Sequence, residues 1–303
     1  MVSKIFVGGL PRSGTTMVQN ILDSHPVIYG GPEFDRIPNI MDLRNKLQNT
    51  LESGRISTYT DSKEIDTAIA NLINALFSNI DSPKNLSFIS EKTPWNILFF
   101  EELFQVFPDA HFMMVLRNPL DVFSSMKKVA QRAKKKGIQP PDFTTNFKTA
   151  VAYMEAVYDI MERLRFEHPE RFLLVRYEDL LDNLEEETRR ICTYLKIEWS
   201  EKMMAFNEME HPGEKTMTAN DIWYSKSSFN ANPKEVKKMA KTPSLTYIEK
   251  TFITYMFRKN TFVNSDQRYL QEPNLIEKIV GRLILNDYTS NYRFQKSPKR
   301  ILG

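Results

Sequence analysis

The sequence predicts an α/β fold, a three-layer domain in which a central parallel sheet is flanked by helices. Three observations carry this. Short β-rich runs alternate with helical stretches, the order that a parallel sheet requires because crossover helices join its strands. The run at 111–116 is apolar almost throughout, as in a strand covered on both faces. The first β-rich run also passes through a glycine-rich loop straight into a helix.

Residues 4–7 read as the first strand, 8–14 as the loop, and 15–24 as a helix with Met17, Ile21 and Leu22 on one face. A helix over 61–78 follows, opened by a capping box of Asp61 and Glu64. Residues 86–90 form the second strand and 95–107 the helix after it. The third strand, 111–116, leads into a helix over 120–136. A fourth strand at 172–175 lies between helices at 145–168 and 183–195. Residues 137–142 form a surface loop, and 211–233 is long, polar and aperiodic, a length that in a compact domain is functional or disordered. A last helix, 274–285, aligns Leu275, Ile276, Ile279, Val280, Leu283 and Ile284 on one face, a stripe for core packing or for a homodimer. Residues 1–303 read as one domain, with about 264–303 as a C-terminal extension.

Composition narrows the function. The chain has 303 residues, 41% hydrophobic and 26% charged, with no apolar run long enough to cross a bilayer. The strand beginning at Lys4 leaves no room for a signal peptide, so a cytoplasmic protein is expected. The one cysteine, Cys192, excludes an internal disulfide, and His25, His111, His168 and His211 show no metal-ligand spacing, so no metal is expected. Net charge is +3. Lys127, Lys128, Arg132, Lys134, Lys135 and Lys136 crowd one helix end, either as a solvated end favoured by the helix dipole or as a rim that attracts an anion. No aromatic-interleaved basic stripe accompanies them, which argues against nucleic acid.

A glycine-rich loop between a strand and a helix cradles anions, since its amides converge and the helix N-terminus adds positive charge. Here the loop runs Gly9-Leu10-Pro11-Arg12-Ser13-Gly14-Thr15-Thr16. It is P-loop-like, but Thr15 stands where nucleoside triphosphatases carry their lysine. Arg12 supplies a guanidinium able to fork onto phosphate or sulfate oxygens. Arg117 ends the third strand, where open α/β sheets bind ligands, and Ser125 lies two helical turns on, able to face the same anion. Lys92 follows the second strand and should reach the same sheet edge.

These residues resemble the PAPS-dependent sulfotransferases (PAPS, 3′-phosphoadenosine 5′-phosphosulfate), most closely the tyrosylprotein-sulfotransferase branch and its bacterial relatives. Carrying the resemblance are residues 6–16 and 22–26, Glu91-Lys92-Thr93-Pro94, the run 114–119 and the run 175–180. The resemblance implies PAPS as donor and PAP as product. It implies a 5′-phosphosulfate loop at Arg12, Ser13, Gly14, Thr15 and Thr16, a 3′-phosphate pair of Arg117 and Ser125, and Tyr177 near adenosine. Arg12 and Lys92 become stabilisers of transition-state charge. Glu33, standing 21 residues after Arg12 as the family's base does, becomes the general base, with Asp35 and His25 as alternates. Ungapped, Asp35 and Asn39 stand where the family's peptide-gripping arginines fall, and a one-residue shift brings in Arg36. The acceptor therefore stays open between a small alcohol, phenol, lipid or sugar hydroxyl and a peptide tyrosine. The cluster 225–228 is either a loop that closes over the donor or a plain solvated loop. The rival classes are a P-loop-type kinase and a non-catalytic nucleotide-binding protein.

Overall fold

The computed structural model describes residues 2–80, 85–212, 222–223, 245–266 and 268–291. Five strands form one sheet in the order β2-β3-β1-β4-β5, all parallel: β1 (Ser3–Gly9), β2 (Ile28–Gly30), β3 (Phe88–Lys92), β4 (His111–Leu116) and β5 (Phe172–Arg176). Helix α1 (Thr15–Asp23) links β1 to β2. Then come α2 (Ile37–Glu52), α3 (Ser62–Leu76) and, after β3, a 3₁₀ turn (Pro94–Phe99) running into α4 (Phe100–Val106). Helix α5 (Pro119–Lys135), a 3₁₀ turn (Asp142–Thr144) and α6 (Phe147–Glu167) lead to β5. Beyond it lie α7 (Tyr177–Asp182), α8 (Leu184–Leu195), a 3₁₀ segment (Glu201–Glu208), α9 (Tyr247–Phe257), α10 (Thr261–Asn264) and α11 (Leu275–Asn291).

Side-chain alternation along the strands sorts the core into two layers. Phe6, Phe112, Met114 and Leu116 face the helices α2 to α6, whereas Ile5, Val7, Met113 and Val115 face α1 and α8. Three layers with an all-parallel sheet result, the P-loop-like arrangement expected. The chain leaves β1 toward the β3–β2 side and leaves β4 toward β5. The crevice between the carboxyl ends of β1 and β4 is thus the topological switch point, where such sheets bind ligands.

Some boundaries differ from the expectation. The second strand is shifted to Phe88–Lys92, which makes Lys92 its last residue, paired in register with Val7. The helix expected over 95–107 splits at Phe99, whose backbone is non-helical, because Pro94 starts a tighter 3₁₀ turn there. Strand β2 has only three residues and, like α2 and α7, lies in a stretch not assigned an element. The capping box at Asp61 forms as expected, Glu64 N–H donating to Asp61 at 2.8 Å.

Core packing holds for only part of the stripe on the last helix, where Ile284 packs against the core. Leu275, Ile276, Ile279 and Leu283 are exposed, 54–75% of each surface remaining open. The helix instead turns Gly281 and Tyr288 inward, Gly281 lying directly under Tyr255 of α9. The cluster 225–228 lies outside the described residues. Among the described residues no helix is long and apolar enough to cross a membrane.

Candidate active site

The loop after β1 packs its own parts tightly. Gly14 is the N-cap of α1, with φ 107°, and no side chain caps the helix. Amides of the first turn carry the helix's partial positive charge. A Cβ on Gly14 would lie 2.3 Å from Cδ2 of Tyr177, so only glycine lets that ring close against the loop. Ser13 is fully buried and its hydroxyl has no hydrogen-bond partner.

Two groups of side chains flank the loop. On the β4 side, the Arg117 guanidinium lies 4.4 Å over the Tyr177 ring, and its Nη1 donates to the Arg12 carbonyl at 3.3 Å. Its Nε is buried without a hydrogen-bond partner. Arg12 Nε donates to Ser125 Oγ at 3.1 Å and its Nη1 to the Trp223 carbonyl at 2.5 Å. Burial raises the Tyr177 phenol, and Arg117 opposes that shift. Arg12, Arg117, Ser125 and Tyr177 thus meet in one place. Ser125 is presented by α5, which starts at Pro119 behind an Asn118 cap, two turns upstream.

On the β3 side, Lys92 is almost wholly buried and bridges two groups. Its Nζ pairs with the Glu33 carboxylate and donates to Thr16 Oγ1 at 3.3 Å. Glu33 therefore sits over the first turn of α1. The alternates do not. His25 is buried, its Nε2 bonded to the Glu198 carbonyl at 2.8 Å and its Nδ1 accepting from Val27 N–H, so it ties the end of α1 to the stretch that follows α8. Asp35 is half exposed and pairs with its neighbour Arg36. Desolvation raises its carboxyl, which Arg36 opposes.

Arg12 departs from the sequence expectation in one respect. Its side chain lies with Ser125 rather than beside Lys92. Of the basic cluster, Lys127 pairs with Glu249, and Arg132 grips the carbonyls of Ile222 and Trp223, so these two act structurally. Sequence reasoning missed Trp223, which sits in the aperiodic loop with no pattern to single it out. Its ring stacks on Phe143 and its carbonyl receives Arg12. Glu91 and Thr93 were also missed as individual residues, although they belong to the Glu-Lys-Thr-Pro run that carried the resemblance. Among the described residues no group of three or more His, Cys, Asp or Glu could hold a metal ion.

Comparison with known proteins identifies the family. Residues 4–201 match the sulfotransferase family. The protein-tyrosine sulfotransferase of Drosophila melanogaster is 28% identical over 206 residues, covering 67% of this chain and 40% of the relative. Protein-tyrosine sulfotransferase A of Caenorhabditis elegans is 26% identical over 215 residues, covering 68% and 53%. The chain thus spans only about half of these relatives' length or less. A crystal structure of a sulfotransferase from Mycobacterium avium shares the fold, with a TM-score of 0.50 at 14% identity over 90% of this chain and 79% of that one. With the family matched over both strand ends and the loop that build the site, the chain belongs to the sulfotransferase family.

Proposed function

We propose that this protein transfers the sulfuryl group of PAPS to an acceptor hydroxyl. The observation that carries the reading is the meeting of Arg12, Arg117 and Ser125 beside a loop that has Thr15 in place of a lysine. A kinase loop needs that lysine for a triphosphate; a 3′-phosphate needs the arginine–serine pair instead. The residues fit the donor. Ser13 carries a buried hydroxyl without a partner, Arg117 a buried Nε without one, and Gly14 leaves a cradle that a Cβ would fill.

In this reading PAPS supplies an activated sulfuryl group on a phosphosulfate linkage. Residues 13–16 hold the 5′ end through loop amides and hydroxyls, Arg117 and Ser125 hold the 3′-phosphate, and Tyr177 lies against the nucleoside. Lys92 neutralises charge that builds as the bridging bond lengthens. Glu33, held over Thr16 by Lys92, accepts the acceptor's proton. A non-catalytic binding protein would have no use for a carboxylate held there. The relatives' names favour a protein hydroxyl as acceptor; Arg36, mostly exposed and paired with Asp35, is the one arginine near the place where the resemblance expects a peptide grip.

Calorimetry with PAP and ADP in EDTA tests the donor assignment. PAP should bind about 10- to 100-fold more tightly than ADP, the scale of one or two charge-assisted hydrogen bonds. Equal affinities would remove the arginine–serine pair from the argument and the donor with it.

A further inference from the structure

A second carboxylate stands directly behind the first. Glu91 precedes Lys92 at the end of β3, and successive strand residues face opposite sides. Lys92 reaches Thr16 on the α1 side, while Glu91 turns toward the 3₁₀ turn at Pro94–Phe99. Glu91 is 4% exposed. Its Oε1 accepts from the backbone N–H of Phe34 at 3.2 Å and from the Thr93 hydroxyl at 2.7 Å, and its Oε2 accepts from Asn96 Nδ2. Thr93 Oγ1 in turn accepts from the N–H of Asp35 at 3.2 Å. The two amides that follow Glu33 are therefore held by Glu91 at the end of β3 and by Thr93 just beyond it. Upstream, Gln19 Nε2 donates to the Gly31 carbonyl at 2.9 Å and to the Ser90 carbonyl at 3.0 Å, fixing the other end of the same loop to the same strand.

We propose that Glu91 is a positioning residue for sulfuryl transfer: with Thr93 it clamps the 34–35 backbone to β3, so that Glu33 meets Lys92 over the α1 N-terminus. The inference rests on Glu33 being the base. Glu33 lies on irregular backbone between β2 and α2, where nothing in the local conformation fixes a long side chain. A base must stay within hydrogen-bond reach of the proton it takes, and a misplacement of about 1 Å costs on the order of 10² in rate. The clamp supplies that fixity without touching the reacting atoms.

Glutamine should preserve the clamp. Asn96 Oδ1 is buried with no hydrogen-bond partner. If the Asn96 amide turns over, that oxygen can accept from a carboxamide at position 91, whose own oxygen still receives Phe34 N–H and the Thr93 hydroxyl. Burial also raises the Glu91 carboxyl to about 7, so a neutral side chain is already compatible with this site.

The test measures kcat and KM for sulfuryl release from PAPS, with a tyrosyl peptide, a simple phenol or water as acceptor, alongside PAP affinity by calorimetry. Glu91→Ala should lose about 10²-fold in kcat while PAP affinity stays within about threefold, and Glu91→Gln should recover kcat to within about fivefold of the parent. Thr93→Val, which keeps shape but removes the relay to Asp35, should lose about tenfold. Parental kcat in a folded Glu91→Ala protein overturns the proposal, as does Glu91→Gln being no better than alanine, or a PAP affinity that falls in step with kcat. Should Glu91→Ala not fold, Thr93→Val decides, and parental turnover there overturns the clamp. Glu33→Gln separates the two claims: inactivity of that variant beside a fully active Glu91→Ala removes the clamp alone, whereas an active Glu33→Gln removes the base assignment.

Discussion

Gly14→Ala is the substitution whose cost the structure sets most directly. Gly14 sits at φ 107°, where an alanine is strained by about 1–3 kcal/mol. The new Cβ would also stand 2.3 Å from Tyr177 Cδ2 and 2.8 Å from Cε2. Normal contact begins near about 3.5 Å, so the ring must retreat by roughly 1 Å. Tyr177 is 7% exposed and packed in the core layer with Val175 and Leu180, so retreat means overpacking, about another 1–3 kcal/mol. A total of about 2–6 kcal/mol follows, to be read from urea denaturation by tryptophan fluorescence. Gly54→Ala is the internal control. Its φ is 77°, yet nothing lies within 4 Å of its would-be Cβ, so it should show the backbone cost alone, about 1–2 kcal/mol. PAP affinity should fall at least about tenfold in Gly14→Ala, because Arg117 loses the ring it lies over, and stay unchanged in Gly54→Ala. Equal denaturation midpoints for the two variants would refute the claim that Tyr177 closes on the loop at Gly14.

Lys92→Ala should lower kcat by roughly 10²-fold or more at saturating donor, the scale for losing a transition-state charge partner; turnover equal to the parent would show that Lys92 is structural. Stability should fall as pH rises from about 4.5 to 7. Burial lifts the folded Glu91 carboxyl to about 7, so over that window the folded state holds a proton that the unfolded chain has released, and the loss amounts to about 3 kcal/mol. Urea midpoints at pH 5 and pH 8 should show this decline in the parent and lack that share of it in Glu91→Gln.

The sheet and the loop were legible because their signals are local. An apolar run such as 111–116 suits a strand covered on both faces, as in a parallel sheet flanked by helices, and a glycine loop opening a helix has one common geometry. The eight-residue interval between Arg117 and Ser125 likewise follows from a strand end and two helical turns. What escaped depends on partners remote in sequence. Ile28–Gly30 is a strand only because β3 offers it an edge, with Ile28 beside Phe88. Leu275, Ile276, Ile279 and Leu283 look like a core stripe, but the helix packs through Gly281, its one glycine, where any Cβ would collide with Tyr255. Glu91 was hidden for a related reason. A carboxylate beside a lysine at a strand end reads as one member of a solvated pair, and only the fold reveals that Glu91 receives the Phe34 amide from a loop 57 residues upstream while Thr93 receives the Asp35 amide.

Arg12 shows how the two halves of the site are joined. It is one of three non-glycine residues with positive φ among those described, at 74°, a conformation that costs an L-residue about 1–2 kcal/mol. Such strain persists only where neighbours over-determine it. Here the neighbours are Arg117, whose Nη1 holds the Arg12 carbonyl, and Ser125, whose hydroxyl receives its guanidinium. The backbone of Arg12 thus belongs to the loop that ends in Thr16, while its side chain belongs to the group built on β4 and α5. Thr16 in turn receives Lys92, which holds Glu33. Under the proposed reading, a donor contact at Ser125 is three short links from Glu33: through Arg12 to the loop, through the first turn of α1 to Thr16, and through Lys92 to Glu33. A group that drew the Arg12 guanidinium away from Ser125 would leave the strained backbone with one fewer contact to hold it.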